Sequence, residues 1–351
     1  MTPNEPLSIQ ESFLKHGEEF RVLFGQLAER KNVHAYLICG EKGTGKRTLA
    51  RLMAAALLCS SAETRPCGIC RDCILAESGE HPDLVRIEKG NPIAPGIKKD
   101  RATIPVEDIR EMIRICGVRP TDGNMHIVVI HDADKMTAQA QNCLLKTLEE
   151  PPADTCIILV TEHTESLLTT VISRCRTIRI RAWDDEYILS VLQRNGAPKE
   201  RAQEAAAAAG GSIGKALELV SDEEYWKLRE EVLNQFLKIT SRSEVILISN
   251  QWKDRKQESE KLLTILESYV RQMTEYRFGK VTYDLSSFPI HWQRFSEKAG
   301  KESFLRLSEA LLNARKQLQF NTNYQAVLEK IIFAFMGEGN IWLQSSESGS
   351  R

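Results

Sequence analysis

The segment with the clearest chemical meaning is a glycine-rich turn that ends in a lysine. It spans residues 40–47, reads GEKGTGKR, follows an apolar stretch typical of a strand and precedes a helical pattern. This is the context that a phosphate-binding P-loop, or Walker A motif, requires. Gly40, Gly43 and Gly45 would let backbone N–H groups turn inward around a phosphate, and Lys46 would contact the β and γ phosphates of ATP or ADP.

The residue after that lysine departs from the motif. Arg47 stands where the pattern requires Ser or Thr, and Thr48 comes one residue late. The missing hydroxyl is normally a ligand of the Mg²⁺ ion, and an arginine brings a positive charge in its place. Whether the loop still binds nucleotide is left open.

The other candidate part of the nucleotide site comes after the apolar run 126–130, where His131 and Asp132 are adjacent. An active ATPase motor places an Asp there for metal-bound water and a Glu to polarise the attacking water. Imidazole is a poor ligand for Mg²⁺, which prefers oxygen, and Asp132 is one methylene shorter than Glu. Two interpretations stay open: a weakened catalytic pair, or polar residues at the end of a strand.

Four of the nine cysteines form a tight group with the spacing C-x7-C-x2-C-x2-C, namely Cys59, Cys67, Cys70 and Cys73. An odd number of otherwise scattered cysteines is a poor disulfide framework. Four thiolates at this density can close a tetrahedral structural zinc site. An iron–sulfur centre is the alternative, since a C-x2-C-x2-C run also occurs there.

The elements that would position these residues alternate between strands and helices up to about residue 180. Period-2 and short apolar runs predict five strands, at 33–39, 83–87, 126–131, 155–160 and 177–180. Helical periodicity predicts helices between them, including 48–58, 106–116 and 138–148. This order is typical of an α/β fold, a parallel five-stranded sheet with helices on both faces, and the pattern becomes helix only from about residue 183.

Composition narrows the class of protein. The 351 residues carry 47 basic and 48 acidic side chains, for a formal net charge of −1. Such a balance offers no global attraction to nucleic acid or to an anionic membrane. No apolar run approaches the roughly 20 residues of a membrane helix, so we expect a cytoplasmic protein with no membrane partner.

Three further segments carry a family resemblance. They are HAYL at 34–37, NCLLKTLEEPP at 142–152 and SRC at 173–175. Together with the P-loop, they strongly resemble the clamp-loader branch of the AAA+ ATPases over residues 1 to about 220, and more weakly beyond through NTNYQ at 321–325. These ATPases place a sliding clamp on primed DNA during replication.

The resemblance implies a domain plan. Residues 1–180 would form a P-loop AAA+ core with the zinc module inserted at 59–73. An all-α lid would follow at 181–221 and an all-α collar at 222–339, and the polar tail 340–351 would be disordered. The collar would join other clamp-loader subunits in a hetero-pentameric ring, at the replication fork.

The resemblance also implies roles for individual residues. Arg174, in the SRC triplet, would be an arginine finger that acts in trans on the ATP site of a neighbouring subunit, although an isolated arginine is more often a solvated surface residue. Four cysteines at this place agree with zinc. Gly214 stands where a motor subunit would carry a sensor arginine.

Gly214, Arg47 and the pair His131–Asp132 all depart from the pattern of a motor subunit. These departures favour a non-motor, stator-like subunit. The alternative is an active motor of the same branch that uses Lys46 and Asp132. A P-loop kinase or nucleotide switch would leave the SRC and cysteine segments unexplained.

Overall fold

The computed structural model describes residues 9–31, 33–61, 64–122, 125–279, 285–320 and 322–344. It divides into two compact units. The first ends at Asp184 and also includes Gly211–Lys215, and the second comprises Asp185–Gly210 and the chain from Ala216 onward. The predicted boundaries of a separate lid and collar stay predictions.

The first unit contains one parallel sheet of five strands, which confirms the predicted fold class. The strands are β1 (Ala35–Cys39), β2 (Leu84–Ile87), β3 (His126–Ile130), β4 (Thr155–Thr161) and β5 (Arg176–Arg179). Their order across the sheet is β2-β3-β4-β1-β5, and every neighbouring pair is parallel. All five predicted strands are present, with ends that shift by up to two residues.

Helices cover both faces of this sheet. In chain order they are α1 (Ile9–His16), α2 (Glu18–Ala28), α3 (Lys46–Leu58), α4 (Arg71–Ser78), α5 (Val106–Cys116), α6 (Ala138–Glu149) and α7 (Thr169–Ile172). One face packs on α5 and α6 through alternate strand residues such as Leu37, Val128 and Ile157. Helix α3 contacts β1, β3 and β4 on the other face. Strands β1 and β4 are buried along their whole length because both of their faces are covered.

The second unit is helical. Its helices are α8 (Asp185–Arg194), α9 (Lys199–Ala209), α10 (Ile213–Ser221, which begins in the first unit), α11 (Glu223–Asn234), α12 (Arg242–Trp252), α13 (Ser259–Phe278), α14 (Ile290–Lys298), α15 (Lys301–Gln319) and α16 (Tyr324–Gln344). Helix α13 is central, since it packs on α9, α11, α14 and α15. None of the helices in the described ranges is long and apolar enough to cross a bilayer.

The predicted disordered tail needs one correction. Helix α16 continues to Gln344, so residues 340–344 are helical. The helix extends because the sequence from Ile341 to Leu343 is still apolar, and the small polar residues start only at Ser345. The rest of the predicted tail, 345–351, lies outside the described residues.

Candidate functional site

The glycine-rich turn forms a strand–loop–helix unit, in which the loop 40–45 joins β1 to α3. Gly43 has a φ of +76° and Gly45 has a φ of +95°, values that a residue with a side chain adopts only with strain. A Cβ atom on Gly43 would also lie 2.2 Å from Oγ of Ser212. The backbone turn therefore requires both glycines, and the close approach of residues 212–215 also requires Gly43.

Hydrogen bonds and an ion pair within the first unit hold the phosphate loop in place. Nζ of the buried Lys46 donates a hydrogen bond to the Glu41 carbonyl (2.6 Å) and lies 3.3 Å from Oε1 of Glu162. The carbonyl of Gly43 accepts a hydrogen bond from the Gly214 N–H at 3.0 Å. The indole Nε1–H of Trp183 donates to the Thr44 carbonyl at 2.9 Å. The lysine that would contact phosphate is thus bound to a carboxylate of the same chain.

Arg47 joins the two predicted halves of the site. Its guanidinium donates to Oδ2 of Asp132 at 3.0 Å and to Oε2 of Glu88 at 3.1 Å. Asp132 is the second residue after the end of β3 and adopts a left-handed backbone conformation with a φ of +50°. The carboxylate that would orient metal-bound water is therefore neutralised by an arginine that replaces the usual hydroxyl.

His131 lies in the same part of the structure. It lines a cavity of about 520 Å³ together with Arg47 and Thr48. Burial, reinforced by the positive charge of Arg47, lowers the pKa of the His131 imidazole to about 4. The ring is neutral at pH 7, and its buried Nδ1 has no hydrogen-bond partner within the described ranges. Neutral imidazole does not replace the oxygen ligand that Mg²⁺ prefers.

We expect this histidine to make stability depend on pH. The pKa falls from 6.5 in the unfolded chain to about 4 in the folded one, so between these values the unfolded state binds more protons. Stability is therefore full above pH 6.5 and is lost as the pH falls toward 4, by at most about 3 kcal/mol. Urea unfolding of the wild type and of His131→Asn at pH 7 and pH 5 measures this. A wild-type loss that His131→Asn reproduces in full would contradict the assignment.

The four predicted cysteines converge on one point between α3 and α4. Their sulfur atoms all lie within 4.8 Å of one another. The Sγ atoms of Cys59 and Cys70 are 3.9 Å apart, as are those of Cys67 and Cys73. A tetrahedral ion with metal–sulfur bonds of about 2.3 Å requires sulfur separations of about 3.8 Å. The sulfur atoms therefore fit a single tetrahedral ion, whereas a multi-iron cluster would hold them farther apart.

Backbone N–H groups support the charge that such a site requires. The N–H of Cys70 donates to Sγ of Cys67, and the N–H of Cys73 donates to Sγ of Cys70, each at 3.3 Å. Burial raises the pKa of the Cys70 thiol, but the hydrogen bonds that it accepts, the Cys73 N–H foremost, outweigh burial and lower this pKa to about 6. A thiolate, the form that binds metal, is thus accessible at Cys70 at neutral pH, whereas burial raises the pKa of the Cys59 and Cys73 thiols.

A second group near the cysteines does not have the chemistry of a metal site. Nε2 of the buried His81 lies 3.7 Å from Asp72 and 3.8 Å from Asp122. The N–H of Asp83, however, donates to Nδ1 of His81 at 3.1 Å. Nδ1 therefore carries the lone pair of the neutral ring and Nε2 carries the proton. Since a metal ion needs a lone pair on Nε2, these three side chains do not form a metal-binding set.

Arg174 lies at the other edge of the sheet from the phosphate loop. The register pairs Tyr36 with Arg176 and Cys39 with Arg179, so β1 and β5 start at the same edge. Arg174 precedes the start of β5, whereas the loop follows the end of β1. At about 3.3 Å per residue, Arg174 and the phosphate loop are therefore at least about 10 Å apart along the strands.

The Arg174 side chain is only partly exposed, at 35%. Its Nη2 donates to Oε1 of Glu149 at 2.6 Å, and its Nη1 donates to the Thr170 carbonyl at 3.0 Å. The structure therefore brings Lys46, Arg47 and Asp132 together in one site. It places Arg174 apart from them, at the other edge of the sheet.

Comparisons with known proteins place the chain in a family. A family model described as "DNA polymerase III, delta subunit" matches residues 15–184. DNA polymerase III subunit delta' of Bacillus subtilis is 30% identical over 322 residues, which cover 89% of this chain and 93% of that protein. The chain belongs to the DNA polymerase III subunit delta' family. This confirms the resemblance found in the sequence.

Further relatives are more partial. DNA polymerase III subunit delta' of Escherichia coli is 34% identical over 214 residues, covering 60% of this chain and 61% of that one. Subunit tau of the same organism is 34% identical over 193 residues, or 53% of this chain but only 28% of tau. Among solved structures, a DNA polymerase III gamma subunit-related protein from Thermotoga maritima aligns with a TM-score of 0.46 at 17% identity, covering 91% and 99% of the two chains.

Three carboxylates in these sites were not predicted from the sequence. They are the partners of Arg47, Arg174 and Lys46, namely Glu88, Glu149 and Glu162. Glu88 and Glu162 each come directly after a strand, and the carboxyl ends of parallel strands are where functional side chains of such sheets meet. Glu149 belongs to the segment 142–152 that carried the family resemblance. Strand-end position was thus the signal available for two of the three.

Proposed function

We propose that this chain is the non-motor, stator-like delta-prime subunit of a bacterial DNA polymerase III clamp loader. It would assemble with delta and gamma/tau subunits in a hetero-pentameric ring in the cytoplasm. That ring would place the sliding clamp on primed DNA, and the chain would contact clamp and DNA through the complex. Membership of the delta' family and the similarity to tau support this proposal.

The contact between Arg47 and Asp132 carries the non-motor part of the proposal. Hydrolysis needs a carboxylate that is free to orient water and a magnesium ion held beside it. Here the Asp132 carboxylate is bound by a guanidinium that also brings a positive charge to the place of the cation. Lys46 is likewise engaged by Glu162. Gly214, where a sensor arginine is expected in a motor, contacts the loop through its backbone instead.

The trans role rests on the placement of Arg174. Because this residue lies at the edge of the sheet away from its own phosphate loop, it is poorly placed to act on a nucleotide bound there. An exposed edge of the first unit is a suitable position from which to reach the ATP of an adjacent subunit. There a guanidinium would stabilise the charge that develops on the transferred phosphoryl group.

We also propose that the four cysteines hold a structural zinc ion. All four positions of the tetrahedron are filled by protein sulfur, which leaves no open position for water. Such an ion would stabilise the link between α3 and α4. ATP or ADP binding at the phosphate loop is not required by this function.

The isolated chain is expected to show no magnesium-dependent ATP turnover. Arg47 binds the Asp132 carboxylate and Glu162 binds the Lys46 ammonium, the two charged groups that a motor would use. Phosphate release should be measured with Mg²⁺ and ATP for the wild type and for Lys46→Ala. The two are expected to give the same background rate, and titration with labelled ATP on the same samples reports binding.

The alternative, an active motor subunit, predicts the opposite result. It is favoured by the preserved backbone of loop 40–45 and by the similarity to tau. Turnover of several ATP per minute that disappears in Lys46→Ala would establish the motor and overturn the stator proposal.

A further inference from the structure

We propose that Glu149 is a positioning residue for Arg174: its carboxylate holds the guanidinium at the edge of the first unit in the orientation that reaches a neighbouring subunit's ATP. This inference rests on the trans role proposed above. The contact between Nη2 and Oε1 is 2.6 Å long, and the Thr170 carbonyl holds Nη1 from a second direction at 3.0 Å. Two acceptors in different directions fix the plane of the guanidinium group.

Helix α6 supplies this carboxylate from its last residue. Near the start of the same helix, the buried Gln141 fixes the segment that leads to α7. Its Nε2 donates to the Ser166 carbonyl at 3.1 Å, and its Oε1 accepts from the Leu168 N–H at 2.7 Å. Helix α6 therefore binds the chain before α7 through Gln141. It binds the Arg174 side chain, which follows α7, through Glu149. The chain segments on both sides of α7 are therefore bound to the same helix.

The exposure of the pair indicates what the contact is for. The Glu149 side chain is 50% exposed and the Arg174 side chain is 35% exposed. An ion pair in such a position contributes little to the stability of the fold. Its main effect is to restrict a long side chain that otherwise samples many rotamers. A guanidinium that is already oriented loses less freedom when it meets the transition state, so the benefit appears in the rate.

The contacts leave capacity for a ligand. A guanidinium has five N–H donors in a planar fork, and these two hydrogen bonds use two of them. A phosphate oxygen can therefore bind while Glu149 remains in place. The competing view is that Glu149 draws Arg174 away from the phosphate, in which case removing the carboxylate would raise the rate.

The assembled clamp loader is the system in which to test this. ATP turnover with clamp and primed DNA should be measured for loaders that contain Glu149→Ala, Glu149→Asp or the matched control Glu150→Gln. We expect Glu149→Ala to lower kcat about fivefold with little change in KM, since misplacement of a catalytic group acts on the chemical step. Glu149→Asp should recover part of this loss, because it retains the charge. Glu150→Gln, which removes a charge from the adjacent exposed residue, should leave the rate unchanged.

A double variant separates positioning from a general structural effect. If Glu149 acts through Arg174, adding Glu149→Ala to Arg174→Ala should cause no further loss of kcat. Additive losses, or a Glu149→Ala loader that turns over as fast as the wild type or faster, would overturn the inference. Failure of the proposed trans role gives a different result, because Arg174→Ala would then leave the rate of ATP turnover unchanged.

Discussion

Replacing Arg174 with alanine is expected to slow ATP hydrolysis at the neighbouring subunit's site by about 10³-fold or more, the typical value of an arginine finger. The reason is that no other group of this chain is predicted to stabilise the charge on the transferred phosphoryl group. Single-turnover hydrolysis in the assembled loader, with clamp and primed DNA present, measures this step directly. Steady-state turnover should fall as well, to the extent that the remaining ATP sites depend on this one.

The controls address folding and charge. The partly exposed Arg174 is not part of a core, so Arg174→Ala should leave thermal unfolding and assembly of the ring unchanged. Arg114→Ala is a matched variant, because Arg114 forms a comparable surface ion pair with Glu111 in the same unit. It should leave hydrolysis unaffected. Wild-type rates in a ring that contains Arg174→Ala would refute the trans role.

Removing one ligand of the cysteine group is expected to have the largest effect on stability. Cys73 is 2% exposed, and its sulfur lies within the tetrahedral set. Cys73→Ser should reduce bound zinc from about one ion per chain to near zero, because a closed structural site needs all four thiolates. The binding free energy of such an ion is also folding free energy, so the thermal midpoint of the protein should fall markedly.

Elemental analysis and thermal unfolding of the same samples test this prediction. Cys143→Ser serves as the control, since Cys143 packs against the core outside the metal group and its loss should leave the metal content unchanged. Treatment of the wild type with a strong chelator should reproduce the Cys73→Ser midpoint. Iron with visible absorbance in place of zinc, or a zinc content that survives Cys73→Ser, would contradict the assignment.

Local patterns were sufficient for most of the first unit. Helix α5 has the bounds that its periodicity predicted, because Pro105 precedes it, Gly117 ends it and its apolar residues recur at helical spacing. Strands β1 and β4 were recognisable as continuous apolar runs, which are typical of parallel strands covered on both faces. The prediction of disorder at 340–344 was wrong because the apolar residues 341–343 continue the helix, and the small polar residues begin only at Ser345.

The functional contacts were less accessible to such reasoning. Lys46 and Glu162 are 116 residues apart in sequence, and Arg47 and Asp132 are 85 apart. Their meeting depends on the order of β3, β4 and β1 in the sheet, which periodicity does not specify. The approach of residues 211–215 to Gly43 likewise comes from a segment that is distant in sequence.

The sequence by itself determined which chemical groups are present: a phosphate loop without its hydroxyl, four closely spaced thiols, and an arginine in a family triplet. These follow from residue type and local spacing. Only the tertiary structure decided which charges are neutralised, because the energy of an ion pair depends on the distance between its charges and on their burial. It placed Asp132 against Arg47 and Lys46 against Glu162, and it placed Arg174 with Glu149 at the edge of the sheet away from that loop.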